Sequence, residues 1–225
     1  MHNNWWIYVL IAIGGLGWAF IQYKLREKRV RAVSAYASRH GWNFVRVNRE
    51  LGNRFRGEPF GKGHRRTGNL VVTGAHRNRY FTAFEYTFKT TEGSGKDRRE
   101  VTHYYMVVAV TLPAPRPMLQ VSTENFATRM FGNIGIGRDL QLESEQFNER
   151  FRIKTDNDKF AYDVLHPRTM QWMLDDQRFS QQPFRFERSD LLTWRKGKIE
   201  PQHIDGYLNY LCDIGDSVPQ FVWKS

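Results

Sequence analysis

The sequence predicts an α+β protein: an N-terminal transmembrane helix followed by one cytoplasmic domain with a mainly antiparallel sheet and C-terminal helices. Three observations predict it. Residues 5–23 carry no formal charge, the runs between Trp42 and Leu112 are rich in alternating or continuous β-formers, and apolar residues after Pro201 recur at three- and four-residue spacing. With 225 residues and 40% apolar content, the chain is long enough for one globular domain plus an appendage.

Trp5 to Tyr23 (WWIYVLIAIGGLGWAFIQY) has Gln22 as its only strongly polar side chain. As a helix it extends about 28 Å, close to the roughly 30 Å hydrocarbon core of a bilayer. Trp5, Trp6 and Tyr8 at one end and Tyr23 at the other have the separation of an aromatic belt. Lys24, Arg26, Lys28, Arg29 and Arg31 follow at once, opposed only by Glu27. The positive-inside bias then places a short tail, 1–4, outside and the rest of the chain in the cytoplasm, as a single-pass protein. A cleaved signal peptide reverses this charge order, and a core helix is seldom apolar on every face. Gly15 and Ala19 are four apart, the spacing that lets a second helix approach closely in lipid, and the basic segment offers a contact to anionic lipid.

Residues 24–41 continue as a basic juxtamembrane helix, with Val30, Val33, Tyr36 and Ala37 as its apolar stripe and Gly41 as its stop. The domain proper is 42–225. Trp42–Val47 alternates as a first strand, and 54–69 is a glycine-rich basic loop, or a short strand and a loop. Strands follow at 70–74 and 80–88 around the turn 77–79. After a second turn at 91–97 comes a central strand, 101–112, which Pro113, Pro115 and Pro117 are expected to end; Met118–Val121 re-enters the sheet. A short helix is expected over 124–131 and another over 158–165 capped by Asp156. Pro167 opens a third, 167–176, with Met170, Met173 and Leu174 on one face. Phe184–Glu187 and Leu191–Trp194 read as a late hairpin, and Pro201 opens a closing helix with Ile204, Tyr207, Leu208, Leu211 and Ile214 facing the core.

The net charge of +11 is concentrated in one half. Residues 24–120 hold 20 Lys/Arg against 7 Asp/Glu, and 121–225 hold 14 against 16. Arg54, Arg56, Lys62, His64, Arg65 and Arg66 form the densest cluster, an anion patch suited to lipid headgroups, phosphate or acidic protein because forked guanidinium donors match such anions. A solvated basic loop is the plainer alternative. Nucleic acid is disfavoured, because the aromatics follow strand alternation and are not interleaved with the charge. No catalytic set emerges. The glycines of 131–137 lack the order and context of a phosphate loop, and the histidines have no metal-ligand spacing. Cys212, the only cysteine, falls among apolar helix positions. The expectation is therefore a non-enzymatic interaction module with no cofactor and no metal. A lipid- or anion-binding domain and a membrane-bound enzyme with an unrecognised site are the alternatives.

Several segments carry a family resemblance: Gly57-Glu58-Pro59-Phe60-Gly61-Lys62-Gly63, Phe81–Tyr86, Val108–Pro113, Leu165–Met170 and above all Glu143-Ser144-Glu145-Gln146-Phe147-Asn148-Glu149-Arg150-Phe151. They resemble a family of actinobacterial membrane-anchored proteins that share a domain of unknown function. The resemblance implies a bacterial plasma-membrane location and a single domain, and it brings no catalytic residues. In the last segment Phe147 and Phe151 are expected to pack in the core while Asn148 binds backbone in the turn before a strand.

Overall fold

Helix α1 runs without a break from Trp5 to Arg39 in the computed structural model, which describes residues 5–123 and 137–224, with side chains from Ile13 onward apart from that of Lys96. Its end is chemically defined. Gly41 takes φ 68°, its N–H donates to the Ser38 carbonyl at 3.1 Å, and the Trp42 N–H reaches back to the Ala37 carbonyl at 2.9 Å. Those bonds satisfy carbonyls that the helix itself leaves open. Residues 24–39 thus continue the same helix. That stretch docks on the domain through Val30, Val33 and Ala37, all buried as their spacing requires.

The transmembrane helix expected over 5–23 is corrected. Among the described residues no helix is long and apolar enough to cross a membrane. The described side chains of the helix begin at Ile13, and from Lys24 onward Arg26, Glu27, Lys28, Arg29 and Arg31 make the remainder too charged for a span. The tail 1–4, the side chains of Trp5, Trp6 and Tyr8, the helix expected over 124–131 and the glycines at 132 and 135 lie outside the described residues.

The rest is an α+β domain with an antiparallel sheet. Strands β1 (Asn43–Asn48), β2 (His64–His76), β3 (Arg79–Glu92) and β4 (Arg99–Thr123) form a meander. They are followed by β5 (Arg138–Leu140), helix α2 (Glu145–Arg150), β6 (Phe151–Thr155), α3 (Asp158–Val164), α4 (Pro167–Asp175) and α5 (Arg178–Gln181). Strand β7 (Phe184–Lys196) and helix α6 (Ile204–Ser217) complete the domain. The strand order is β1-β2-β3-β4-β6-β5, with β7 also paired to β4.

Strand β4 is the axis of the sheet. One of its sides pairs with β3 as far as Phe81–Val110 and then, from Leu119–Thr155, with β6; its other side pairs with β7. The three prolines therefore do not end the strand as expected. They fall in the gap between the β3 and β6 registers, where the β7 register is also irregular, so their missing N–H groups break no regular ladder. The late hairpin is likewise corrected. Residues 184–196 are one strand, because β4 is long enough to pair with all of it, and Arg188 at φ 56° is a local irregularity within it.

That irregularity has a consequence for which side chains meet. A one-residue slip in a strand moves every following side chain to the opposite face. Along β7, Phe184 and Phe186 face the helices, yet so does Leu191; Leu192 and Trp194 face the other side. Strand β4 switches in the same stretch, from Met106, Val108 and Val110 to Leu119 and Val121. Two apolar layers result. The larger lies between the sheet and α1, α3, α4 and α6; the smaller, with Phe84, Tyr86, Val107, Leu192 and Trp194, is roofed by Leu51, Phe55 and Phe60 from the 49–63 segment.

Candidate functional site

The first candidate is the projecting half of α1. Ile13, Leu16, Trp18, Phe20, Ile21, Tyr23 and Leu25 are all exposed, Leu16 to 72%, and a Cβ added at Gly14, Gly15 or Gly17 would meet nothing within 4 Å. Apolar residues exposed on every side of a helix mark a surface that another apolar medium covers, since single domains rarely leave such a patch in water. Gly15 and Ala19 are among these exposed positions. Directly below stand Lys24, Arg26, Lys28 and Arg31, exposed as a basic collar. The fifth predicted member, Arg29, is spent on structure. It pairs with Glu85, a buried carboxylate of β3 that also accepts from the Ile199 N–H at 3.0 Å. The Tyr36 hydroxyl donates to Asp205 at 2.6 Å and Arg46 pairs with Glu27 at 3.2 Å, so the docked half of α1 is tied to the sheet, to β1 and to the start of α6. Burial and the Asp205 carboxylate together push the Tyr36 hydroxyl far above its usual range.

The second candidate is the basic loop, on the opposite face of the sheet from α1. The structure brings its predicted residues together, though much of their charge is matched. Arg54 makes a forked contact with Asp190, its Nη2 lying 2.8 Å from Oδ1. Lys62 pairs with Glu58, whose side chain is wholly buried. His64 meets Glu100 at 3.0 Å, and Lys89 and His64 together hold the Glu100 carboxyl down at about 2. Arg66 donates from Nε to Asn53 Oδ1 at 3.0 Å and from Nη1 to the Gly61 carbonyl at 2.8 Å. Arg56 and Arg65 are exposed.

Beneath this loop lies a set of residues that the sequence reading missed. Arg185 of β7 is fully buried, with its guanidinium 4.7 Å from the Trp194 ring centroid. It donates to Gln120 Oε1 at 2.7 and 2.9 Å, to Glu187 at 3.2 Å, to the Glu58 carbonyl at 2.8 Å and to the Arg56 carbonyl. Burial lowers its pKa to about 10, which leaves it charged at neutral pH. The alternation Phe184-Arg185-Phe186-Glu187 carried the signal: two charges sharing a strand face between two core aromatics require a buried partner set.

A third concavity, a cleft of about 540 Å³ between α4 and α6, is lined by His166, Thr169, Trp172, Asp213 and Asp216. Its carboxylates are already engaged. Asp213 accepts from Arg77 at 2.6 Å and Arg178 at 2.8 Å, and Asp216 accepts from Arg77 and Arg79 at 2.6 Å each. Cys212 is buried on the neighbouring face, and burial raises its thiol pKa, the opposite of what a nucleophile needs. Among the described residues no group of three His, Cys, Asp or Glu side chains converges as a metal site.

The Glu143–Phe151 segment is structural. Phe147 and Phe151 are buried with ring centroids 4.8 Å apart, and Ser144 caps α2 by accepting from the Phe147 N–H at 3.3 Å. Asn148 clasps Leu142, accepting from its N–H at 3.0 Å and donating to its carbonyl at 2.6 Å.

A helix-tied antiparallel α+β domain bearing an exposed apolar arm defines the class. No family model matches the chain, and no curated protein matches it by sequence. A solved structure similar to it is the crystal structure of the mycobacterial trehalose monomycolate transport factor A, TtfA, at 15% identity and a TM-score of 0.61, covering 85% of this chain and 98% of that one. At that identity the likeness shows a shared fold.

Proposed function

We propose that the protein is a non-enzymatic accessory factor working at a bacterial plasma membrane, with the exposed half of α1 seated in lipid and the domain held against the cytoplasmic leaflet. The observation that carries this reading is the arm itself, apolar around its circumference and ending in a basic collar. Each large side chain moved out of water contributes about 1.5–3 kcal/mol. Each collar cation adds about 1 kcal/mol near anionic headgroups. The fold shared with a trehalose monomycolate transport factor favours an accessory role in transport over a purely structural one. A partner membrane protein meets the arm at Gly15 and Ala19, where the missing or small side chains permit close helix packing.

The test is affinity purification of the full chain from native membranes in mild detergent. The proposal expects a reproducible membrane-protein partner that is lost on Gly15→Leu substitution. Recovery of monomer alone, from wild type and variant alike, would contradict it.

A further inference from the structure

The loop before β2 is held more firmly than a connection requires. The backbone of Arg56 is gripped at both ends, its N–H donating to Glu187 Oε1 at 3.0 Å and its carbonyl accepting from Arg185. Two residues on, the Glu58 carbonyl is held by the same buried guanidinium. Arg66 fastens the other wall through Asn53 and Gly61, and a Cβ at Gly52 would collide with the Arg66 carbonyl oxygen, so the two walls approach as closely as glycine permits. Between them lies a cavity of about 260 Å³ whose lining includes Asn53, Arg56, Gly57, Lys62 and Arg66, and no carboxylate. Lys62 offsets the buried Glu58, and among the described residues neither Arg56 nor Arg66 has a carboxylate in ion-pair contact at the opening. Asn53 spends its oxygen on Arg66, so its amide nitrogen is the group left to donate.

We propose that this cavity binds a phosphate group, with Arg56 as a forked donor, Arg66 donating through the Nη2 that its bonds to Asn53, Gly61 and Gly63 leave over, and Asn53 as a third donor. Guanidinium groups match the tetrahedral oxygens of a phosphate in pairs. A loop already fixed by buried bonds spends little ordering entropy on the ligand. The cavity takes one phosphoryl group with part of its ester substituent, which suits a phospholipid headgroup or a free phosphomonoester. The site stands apart from the arm, on the other face of the sheet, and does not depend on how the arm is covered.

The experiment uses the full chain in detergent micelles at low ionic strength. Inorganic phosphate and glycerol 3-phosphate are titrated calorimetrically, and binding to phosphatidylglycerol and phosphatidylcholine vesicles is measured in parallel. The variants are Arg56→Gln, which keeps the backbone bonds to Arg185 and Glu187, Arg66→Gln, and the collar pair Arg26→Gln/Lys28→Gln as control. Saturable phosphate binding is expected, weakened at least tenfold by Arg56→Gln with an unchanged thermal midpoint and unaffected by the collar pair. Arg56-dependent binding confined to the soluble esters identifies a free phosphomonoester. Arg56-dependent binding confined to phosphatidylglycerol vesicles identifies a headgroup. Absence of saturable binding in both arms, or equal binding by wild type and Arg56→Gln, would overturn the proposal. Loss of vesicle binding in the collar pair alone concerns the arm and leaves this site intact.

Discussion

Replacing Arg185 with Met removes the charge on which the loop face of the domain is built. The side chain is fully buried, and its loss strands the Glu187 carboxylate, Gln120 Oε1 and the carbonyls of Arg56 and Glu58 in an environment closed to water. Removing one partner of a buried ion pair costs about 3–5 kcal/mol, because the survivor remains desolvated and unpaired. In a domain of this size each kcal/mol shifts the thermal midpoint by about 2–4 °C, so a fall of roughly 6–20 °C is expected. Thermal and urea unfolding followed by tryptophan fluorescence are the assays, since Trp194 stacks directly under the guanidinium. Met keeps much of the volume, so the loss reports charge and hydrogen bonding more than cavity formation. Adding Glu187→Gln removes the stranded charge and should recover part of the loss. A single-variant cost below about 1 kcal/mol, the range of exposed pairs, would refute the claim that this buried network holds the loop.

Two further outcomes follow from the structure. Asn148→Ala leaves the N–H and carbonyl of Leu142 without their clasp and should cost about 1–3 kcal/mol in the same urea assay; an unchanged midpoint would contradict it. In acid, the carboxyl pKa values of Asp176 and Asp139 lie below the ordinary range because of hydrogen bonds from Arg178 and Arg152. Burial pushes Asp213 upward, but Arg77 and Arg178 outweigh it and bring it below as well. Folded values below unfolded ones mean that the stabilisation is complete above about pH 4 and is lost as the pH falls through the folded values. Urea midpoints should therefore hold from pH 7 to 5 and drop by pH 3, and a flat profile to pH 3 would exclude the effect.

The helices and most strands were legible because their periodicities are local. The stripe Val30, Val33, Ala37 and the closing-helix positions from Ile204 to Ile214 are buried as their spacing requires. What escaped depended on pairing between distant segments. Pro113, Pro115 and Pro117 read as strand breakers, and only the positions of β3 and β6 along β4 show why they are tolerated. The irregularity at Arg188 hid a single strand inside an expected hairpin, and with it the face on which Arg185 sits. The basic loop was visible as composition. Much of its internal neutralisation was not, because Asp190 and Glu100 lie 136 and 36 residues from Arg54 and His64; only the pair of Lys62 with Glu58, four residues apart, is local. The uncharged run 5–23 read as a membrane span on composition, whereas the described helix shows an exposed apolar arm that stops at Lys24.

The central claim is that this arm seats the domain on lipid, and flotation of the purified full chain on vesicles containing phosphatidylglycerol tests it most directly. Wild-type protein should rise with the vesicles, less so at high salt, while Leu16→Ser/Trp18→Ser/Phe20→Ser, which touches no docked residue, should remain at the bottom of the gradient with its thermal midpoint intact. Equal flotation of the two proteins, or failure of the wild type to rise at all, would contradict the account.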